Sequence, residues 1–279
     1  MKKNRFLDKG MIIAWIVMFI YIFSIFIPFF FAFLTSLKPI NEIIKYPVNY
    51  FSFKISFDSY YQVIFGSAYG KYTLNTLIVS LSVVILCAFF GIPSAYALAR
   101  YKFPFKKNIL FFIISIRLIP PISLIVPFFI LIRFLRLVDS LFSLIMVNFM
   151  LNLPFFIWIS WGFIKEIPRE FEEAGRIDGC SRLESLWKIA IPIAAPGLSA
   201  ASIVTFLFTW NEYLFVLTFS QTKAAKTVSV GMSDFVGDVF VRWNQISAAS
   251  MISIIPALIF VFLFQRYIVQ GLSAGGIKG

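Results

Sequence analysis

Two sets of residues in this 279-residue chain have the types and spacing to do chemistry. The first is the stretch 165–197, KEIPREFEEAGRIDGCSRLESLWKIAIPIAAPG, where 11 charged side chains of both signs lie between Lys165 and Lys188. Carboxylates and guanidiniums crowded this closely form either a solvated connector or a folded surface that meets another protein through charge-assisted hydrogen bonds. The second set sits inside apolar runs: Arg117, Asn148, Asn152, Asn211, Glu212 and Tyr213. Amides, a phenol and single charges at membrane depth either hold helices to one another or line a path for a hydroxyl-bearing solute. Histidine-dependent covalent and metal chemistry is excluded by what is missing. With no histidine, the Ser-His-Asp and Cys-His arrangements and every histidine metal site are absent. Cys87 lies in an apolar run and Cys180 in a charged loop, which makes neither a disulfide framework nor a zinc site.

The elements that must position these residues are membrane spans. The chain is 60% hydrophobic, 19% aromatic and only 14% charged, against about 45–50% apolar and about 25% charged in soluble domains. Six apolar runs, at 11–37, 73–99, 108–132, 141–164, 198–219 and 246–268, are each long enough to cross a hydrocarbon core of about 30 Å. The first is too long for a cleaved signal-peptide core and reads as a retained span. The fold class is therefore an all-α membrane protein, a single transmembrane domain over 1–279 with a cytoplasmic helical hairpin between spans four and five.

The net charge of +12 needs no nucleic acid to explain it. With the N-terminus inside, the cytoplasmic pieces hold 15 Lys and Arg and the external pieces hold nine, with Arg117 inside a span. Positive charge collects on the cytoplasmic side, facing anionic membrane lipid, so both termini are expected inside. The external segments 38–72 and 221–245 are long enough for short interfacial helices. Their aromatics Tyr50, Phe51, Phe53, Tyr60, Tyr61 and Trp243 suit the headgroup layer.

The stretch 165–197 reads as two short helices. Pro168 suits a first helical position, Glu170, Glu172 and Glu173 face the positive end of the dipole, Arg176 falls near the C-terminus, and Gly179 suits a left-handed stop. Ser181 and Glu184 have capping-box spacing. Leu183, Leu186, Trp187 and Ala190 then form one stripe, which Pro192 and Pro196 are expected to end. In the spans, Arg117 precedes a Pro120-Pro121 break, and its opposite charge to Glu212 at similar depth makes the two a candidate pair.

The order Glu173-Ala174-Gly175-Arg176-Ile177-Asp178-Gly179, followed by Ile191-Pro192 and Pro196, resembles the "EAA" loop of binding-protein-dependent ABC importer permeases. Four further pieces resemble the maltose-type sugar permeases in their second-subunit form. These are Ala95-Tyr96-Ala97-Leu98-Ala99-Arg100-Tyr101-Lys102-Phe103-Pro104, Arg117-Leu118-Ile119-Pro120-Pro121, Trp210-Asn211-Glu212, and the tail Gly271-Leu272-Ser273-Ala274-Gly275-Gly276-Ile277-Lys278-Gly279. The resemblance implies a coupling helix that docks in a cleft of a cytoplasmic ATPase, with Glu172, Glu173, Ala174, Gly175, Asp178 and Gly179 at the contact. The family usually has Ala where Gly175 and Cys180 stand, which would loosen the contact by a methyl.

The same resemblance implies a second homologous permease subunit, two ATPase subunits that bind ATP and Mg, and an external or periplasmic sugar-binding protein. This chain has no Gly-x-x-x-x-Gly-Lys-Ser/Thr sequence and would hold no cofactor of its own. It would carry a sugar or oligosaccharide, and a permease for glycerol phosphate or another polyol is the alternative. A secondary transporter or channel would need intramembrane ion-coupling groups, and Glu212 alone is thin support for that reading.

Overall fold

The computed structural model describes residues 5–47, 50–51, 53–237 and 240–275, with side chains from residue 10 to residue 265. Lys2, Lys3 and the tail residues Gly276 to Gly279 lie outside the described residues. Among the described residues the chain is helical, with no strand beyond a single bridge between Val236 and Val241. The helices are α1 (Arg5–Ser36), α2 (Ile40–Ile43), α3 (Asp58–Ile64), α4 (Tyr69–Arg100), α5 (Lys106–Ile116), α6 (Ile125–Phe134), α7 (Leu141–Glu166), α8 (Glu170–Ile177), α9 (Arg182–Ser185), α10 (Ile191–Trp210), α11 (Leu214–Phe219), α12 (Val228–Gly231) and α13 (Trp243–Gly275).

Five helical stretches are long and apolar enough to cross a membrane: Gly10–Ser36, Tyr69–Arg100, Leu141–Glu166, Arg182–Trp210 and Trp243–Gln265. A sixth crossing exists if α5 and the stretch Pro121–Phe134, bent by 92° at the Pro120-Pro121 break, count as one span. The bend has a direct cause. Pro121 has no N–H to donate, and Pro120 adopts φ −59°, ψ 127°, the extended conformation favoured before a proline. Pro28, Pro93, Pro154 and Pro256 lie inside helices without ending them, as membrane helices allow where neighbours re-satisfy the backbone.

The described residues fall into two compact units. One comprises Met1–Gly70 and Met232–Ser253. In it α1 is exposed along its whole apolar window, a surface suited to lipid. The short helices α2 and α3 form within the segment 38–72, as expected. Tyr69 is buried, its hydroxyl 2.5 Å from Ser253 Oγ and its ring 5.6 Å from that of Phe235. Asn244 Nδ2 donates to Ser59 Oγ at 3.0 Å.

The second unit, Lys71–Gly231 with Ile254–Gly279, contains two buried apolar clusters. One cluster gathers Val79, Val83 and Cys87 of α4, Ile132 of α6, Leu144, Val147 and Phe156 of α7, and Phe215 and Phe219 of α11. Another, around Ala95, Tyr96, Ile164, Leu186, Ala190 and Leu198, joins α4, α7 and the hairpin. In lipid, close fit rather than water exclusion holds helices together. Gly91 supplies such a fit, because a methyl there would overlap the Phe156 ring.

Candidate functional site

The hairpin begins where α7 stops at Ile167. Its first helix, α8, has Glu170, Glu172 and Glu173 in the first turn and Arg176 in the last, which matches the dipole at both ends. It starts at Glu170 rather than at Pro168, two residues later than expected. Gly179 sits at φ +92°, the left-handed region that glycine enters without strain. There Cys180 N bonds Gly175 O at 2.9 Å and the chain reverses.

The second arm opens with the capping box. Glu184 N donates to Ser181 Oγ at 3.3 Å, and Ser181 N donates back to Glu184 Oε2 at 2.9 Å. Lys188 bonds the same carboxylate at 2.8 Å.

Pro192 and Pro196 do not end this helix. Residues Leu186–Ala190 form a turn of π-helix, and α10 then runs from Ile191 to Trp210 with Pro192 at its start and Pro196 inside it. The wide turn resets the hydrogen-bond register, so Pro192 falls in a first turn, where a missing N–H is tolerated. The hairpin is thus continuous with span five.

The six residues assigned to the contact do not share a surface. Glu173, Ala174, Asp178 and Gly179 are exposed, whereas Glu172 and Gly175 are buried. Glu172 is 2% exposed, and its carboxylate accepts from Arg100 Nε at 2.6 Å and from the Tyr96 hydroxyl at 2.7 Å. Gly175 faces Ile189, whose Cδ1 a methyl would overlap. The missing methyl therefore lies against Ile189, and within this chain Glu172 and Gly175 make internal contacts.

The expected stripe also divides. Leu186 and Ala190 are buried, while Leu183 and Trp187 are 67% and 58% exposed. Phe171 and Ile177 on α8 are likewise exposed, at 55% and 87%. Sequence reasoning passed over Phe171 and Ile177, although both stand out as large apolar residues among charges. Beside α8 lies a cleft of about 220 Å³ lined by Tyr101, Lys102, Arg169, Glu173, Arg176 and Arg182 among others.

The polar residues of the spans separate as well. Asn148 and Asn152 are 2% and 3% exposed, and their amides bond Leu144 O and Asn148 O on their own helix at 2.9 Å each. Asn152 also reaches Thr209 Oγ1 of α10 at 3.5 Å. Both are buried among the described residues, and of the two Asn152 is the one whose amide reaches another helix.

Asn211, Glu212 and Tyr213 occupy a break between α10 and α11 that the sequence reading ran through as one span. Asn211 and Tyr213 are exposed there. Glu212 closes the break by accepting from Phe215 N and Val216 N, both at 3.0 Å. Arg117 donates to Leu151 O at 3.1 Å, and its guanidinium lies 4.7 Å and 5.3 Å from the ring centres of Phe208 and Phe155. Each charge has its own partners, and no Arg117–Glu212 ion pair forms.

With this geometry in place, the comparison with known proteins is decisive. The model of the family described as "Binding-protein-dependent transport system inner membrane component" matches residues 88–274, which include the hairpin and the polar span residues Arg117, Asn148, Asn152, Asn211, Glu212 and Tyr213. This chain belongs to that family. The inner membrane component is similar to a sulfoquinovosyl glycerol transport system permease protein of Agrobacterium fabrum, 35% identical over 88% of this chain and 86% of the relative. It is also similar to a trehalose transport system permease protein of Mycobacterium tuberculosis, 34% identical over 81% of this chain and 83% of the relative. Among solved structures, a chain of a bacterial ABC transporter that imports the acidic polysaccharide alginate has the same fold. The TM-score is 0.80 at 24% identity, over 95% of this chain and 98% of that one. The component is a transport subunit, not an enzyme.

Proposed function

We propose that this chain is the second-type permease subunit of an ATP-binding-cassette importer for a sugar or oligosaccharide, with both termini in the cytoplasm. It pairs with a homologous permease to form the path, receives sugar from an external binding protein, and is driven by two ATPase subunits that bind ATP and Mg. The relatives carry sugar-transport names at 34–35% identity over most of the chain, which supports the substrate class.

One observation carries the docking assignment: the hairpin leaves Phe171, Ile177, Leu183 and Trp187 uncovered beyond the end of α7. Large apolar groups outside hydrocarbon, set among charges, mark a protein contact. Glu173 and Asp178 form its polar part, with Ala174 and Gly179 exposed beside them, and the adjacent basic cleft suits a carboxylate of the ATPase. Within the bundle, Asn211 and Tyr213 at the span-five break are the groups that remain open to a sugar hydroxyl.

The test is to co-purify the complex and measure ATP hydrolysis across a panel of oligosaccharides presented by the binding protein. At least one sugar should stimulate hydrolysis. Glu173→Lys and Gly179→Pro should leave the chain in the membrane while abolishing that stimulation. Wild-type uptake in both variants would remove the docking role, and stimulation by glycerol phosphate alone would move the substrate class.

A further inference from the structure

We infer that Tyr96, Arg100 and Glu172 form a fixed joint that makes α8 and the cytoplasmic end of α4 move as one body when the ATPase pair closes. The inference rests on the docking reading above and adds the route by which force leaves the hairpin. Tyr96 and Arg100 are four residues apart on α4, hence on one helical face, and both reach the carboxylate of Glu172. Each carboxylate oxygen has its own donor, Nε of Arg100 at 2.6 Å and the Tyr96 hydroxyl at 2.7 Å. The guanidinium also donates from Nη2 to Ile167 O at 3.0 Å, the residue that caps α7. Arg169, next to α8, returns a bond to Arg100 O at 3.4 Å. One buried cation therefore joins the ends of two spans to the docking helix. Tyr101 extends the cluster, with the Arg182 guanidinium of α9 5.3 Å from its ring centre.

The choice of groups argues for a mechanical role over a stabilising one. Burying a carboxylate and a guanidinium exchanges their hydration for each other, so an apolar trio of similar volume would hold α8 at least as well. An apolar contact, however, tolerates sliding. Charge-assisted bonds at these distances fix direction as well as separation. Adjacent carboxylates thereby take opposite roles: Glu173 faces outward for the motor, and Glu172 faces inward for the bundle. In place of an ATPase contact, the Glu172 carboxylate is occupied by α4.

The experiment uses the complete importer with its ATPase subunits in nanodiscs, spin-labelled at Ser94 on α4 and Glu170 on α8, with distances read before and after trapping with ATP and vanadate. The parent complex should keep one narrow Ser94–Glu170 distribution in both states. Tyr96→Phe, which removes one hydroxyl, and Glu172→Gln, which keeps the shape, should still co-purify the ATPase but show a distribution that broadens and shifts on trapping. The double variant should be no worse than Glu172→Gln alone, because both act on one contact.

An unchanged distribution in the variants, a shift in the parent, or loss of the ATPase from Tyr96→Phe would each overturn the joint. Glu173→Lys separates the two readings. Full co-purification and stimulation with that substitution sinks the docking reading, and the joint's motor role with it. Loss in Glu173→Lys with unchanged distances in the other two variants sinks the joint alone.

Discussion

Arg117 and Glu212 have opposite charges within apolar segments of the sequence, and a double-mutant cycle decides whether they act together. Glu212 makes two charge-assisted bonds, to Phe215 N and Val216 N at 3.0 Å each. Bonds of this kind are each worth about 1.5–3 kcal/mol. The freed amides sit at the open break, so the low end applies, and Glu212→Ala should destabilise by about 3 kcal/mol. Arg117→Ala loses the bond to Leu151 O and two ring contacts but relieves a half-buried guanidinium, for a net loss of about 1–2 kcal/mol. With no shared partner, the double variant should equal the sum to within about 0.5 kcal/mol. Equilibrium unfolding by SDS in mixed micelles measures all four corners of the cycle. A coupling energy above about 1 kcal/mol would refute the structural argument and restore a direct pair.

Two further outcomes follow from neighbouring parts of the chain. Gly175→Ala should be neutral to slightly stabilising, within about 1 kcal/mol, since the gain in helix propensity offsets a rotation of the Ile189 tip. ATPase affinity should not change, and a drop would mean that this side of α8 faces outward. Asp139 accepts from Gln221 N at 3.0 Å and Thr222 N at 3.1 Å and from the Thr222 hydroxyl. Burial pulls its carboxyl upward, but those donors outweigh it and hold the group below the usual range. A depressed carboxyl stabilises fully above its unfolded value of about 4 and loses the effect as pH falls through the folded value. The protection factors of the Gln221 and Thr222 amides against hydrogen exchange should therefore stay constant between about pH 5 and 8, their exchange rates changing only as the intrinsic rates do. It should fall several-fold in Asp139→Asn at neutral pH, and equal protection would show that the carboxylate does not hold this loop.

The spans were legible because a bilayer imposes one requirement, an uninterrupted apolar length, that any hydropathy reading detects. Their interruptions were legible only in part. Pro120-Pro121 announces the 92° bend through chemistry local to two residues. Pro192 and Pro196 carry the same chemistry and were misread as a stop, because a π turn at Leu186–Ala190 shifts the register by one residue and moves Pro192 into a first turn. No side chain in that turn signals it. The break at Asn211–Tyr213 was missed for the opposite reason. Apolar residues continue on both sides of it, and the device that closes it, Glu212 reaching forward to two amides, looks in sequence like a lone membrane charge awaiting a partner.

The same limit governs the hairpin. Spacing fixed the capping box and the left-handed glycine, because both depend on atoms within a few residues. Which carboxylate turns inward depends on what stands opposite. Glu172 and Glu173 are chemically identical and adjacent, and only the arrival of Tyr96 and Arg100 from more than 70 residues away separates their roles. The clue available in sequence was periodicity. Glu172 and Gly175 are three residues apart on α8, one helical face, and a face that pairs a carboxylate with a glycine is poor as a plain solvated surface. A charged helix that keeps one glycine on the carboxylate's side is better read as packed along that side. The carboxylate there then requires a cation from elsewhere in the chain, and Arg100, closing the Ala-Tyr-Ala-Leu-Ala-Arg run at the end of α4, is positioned to supply it.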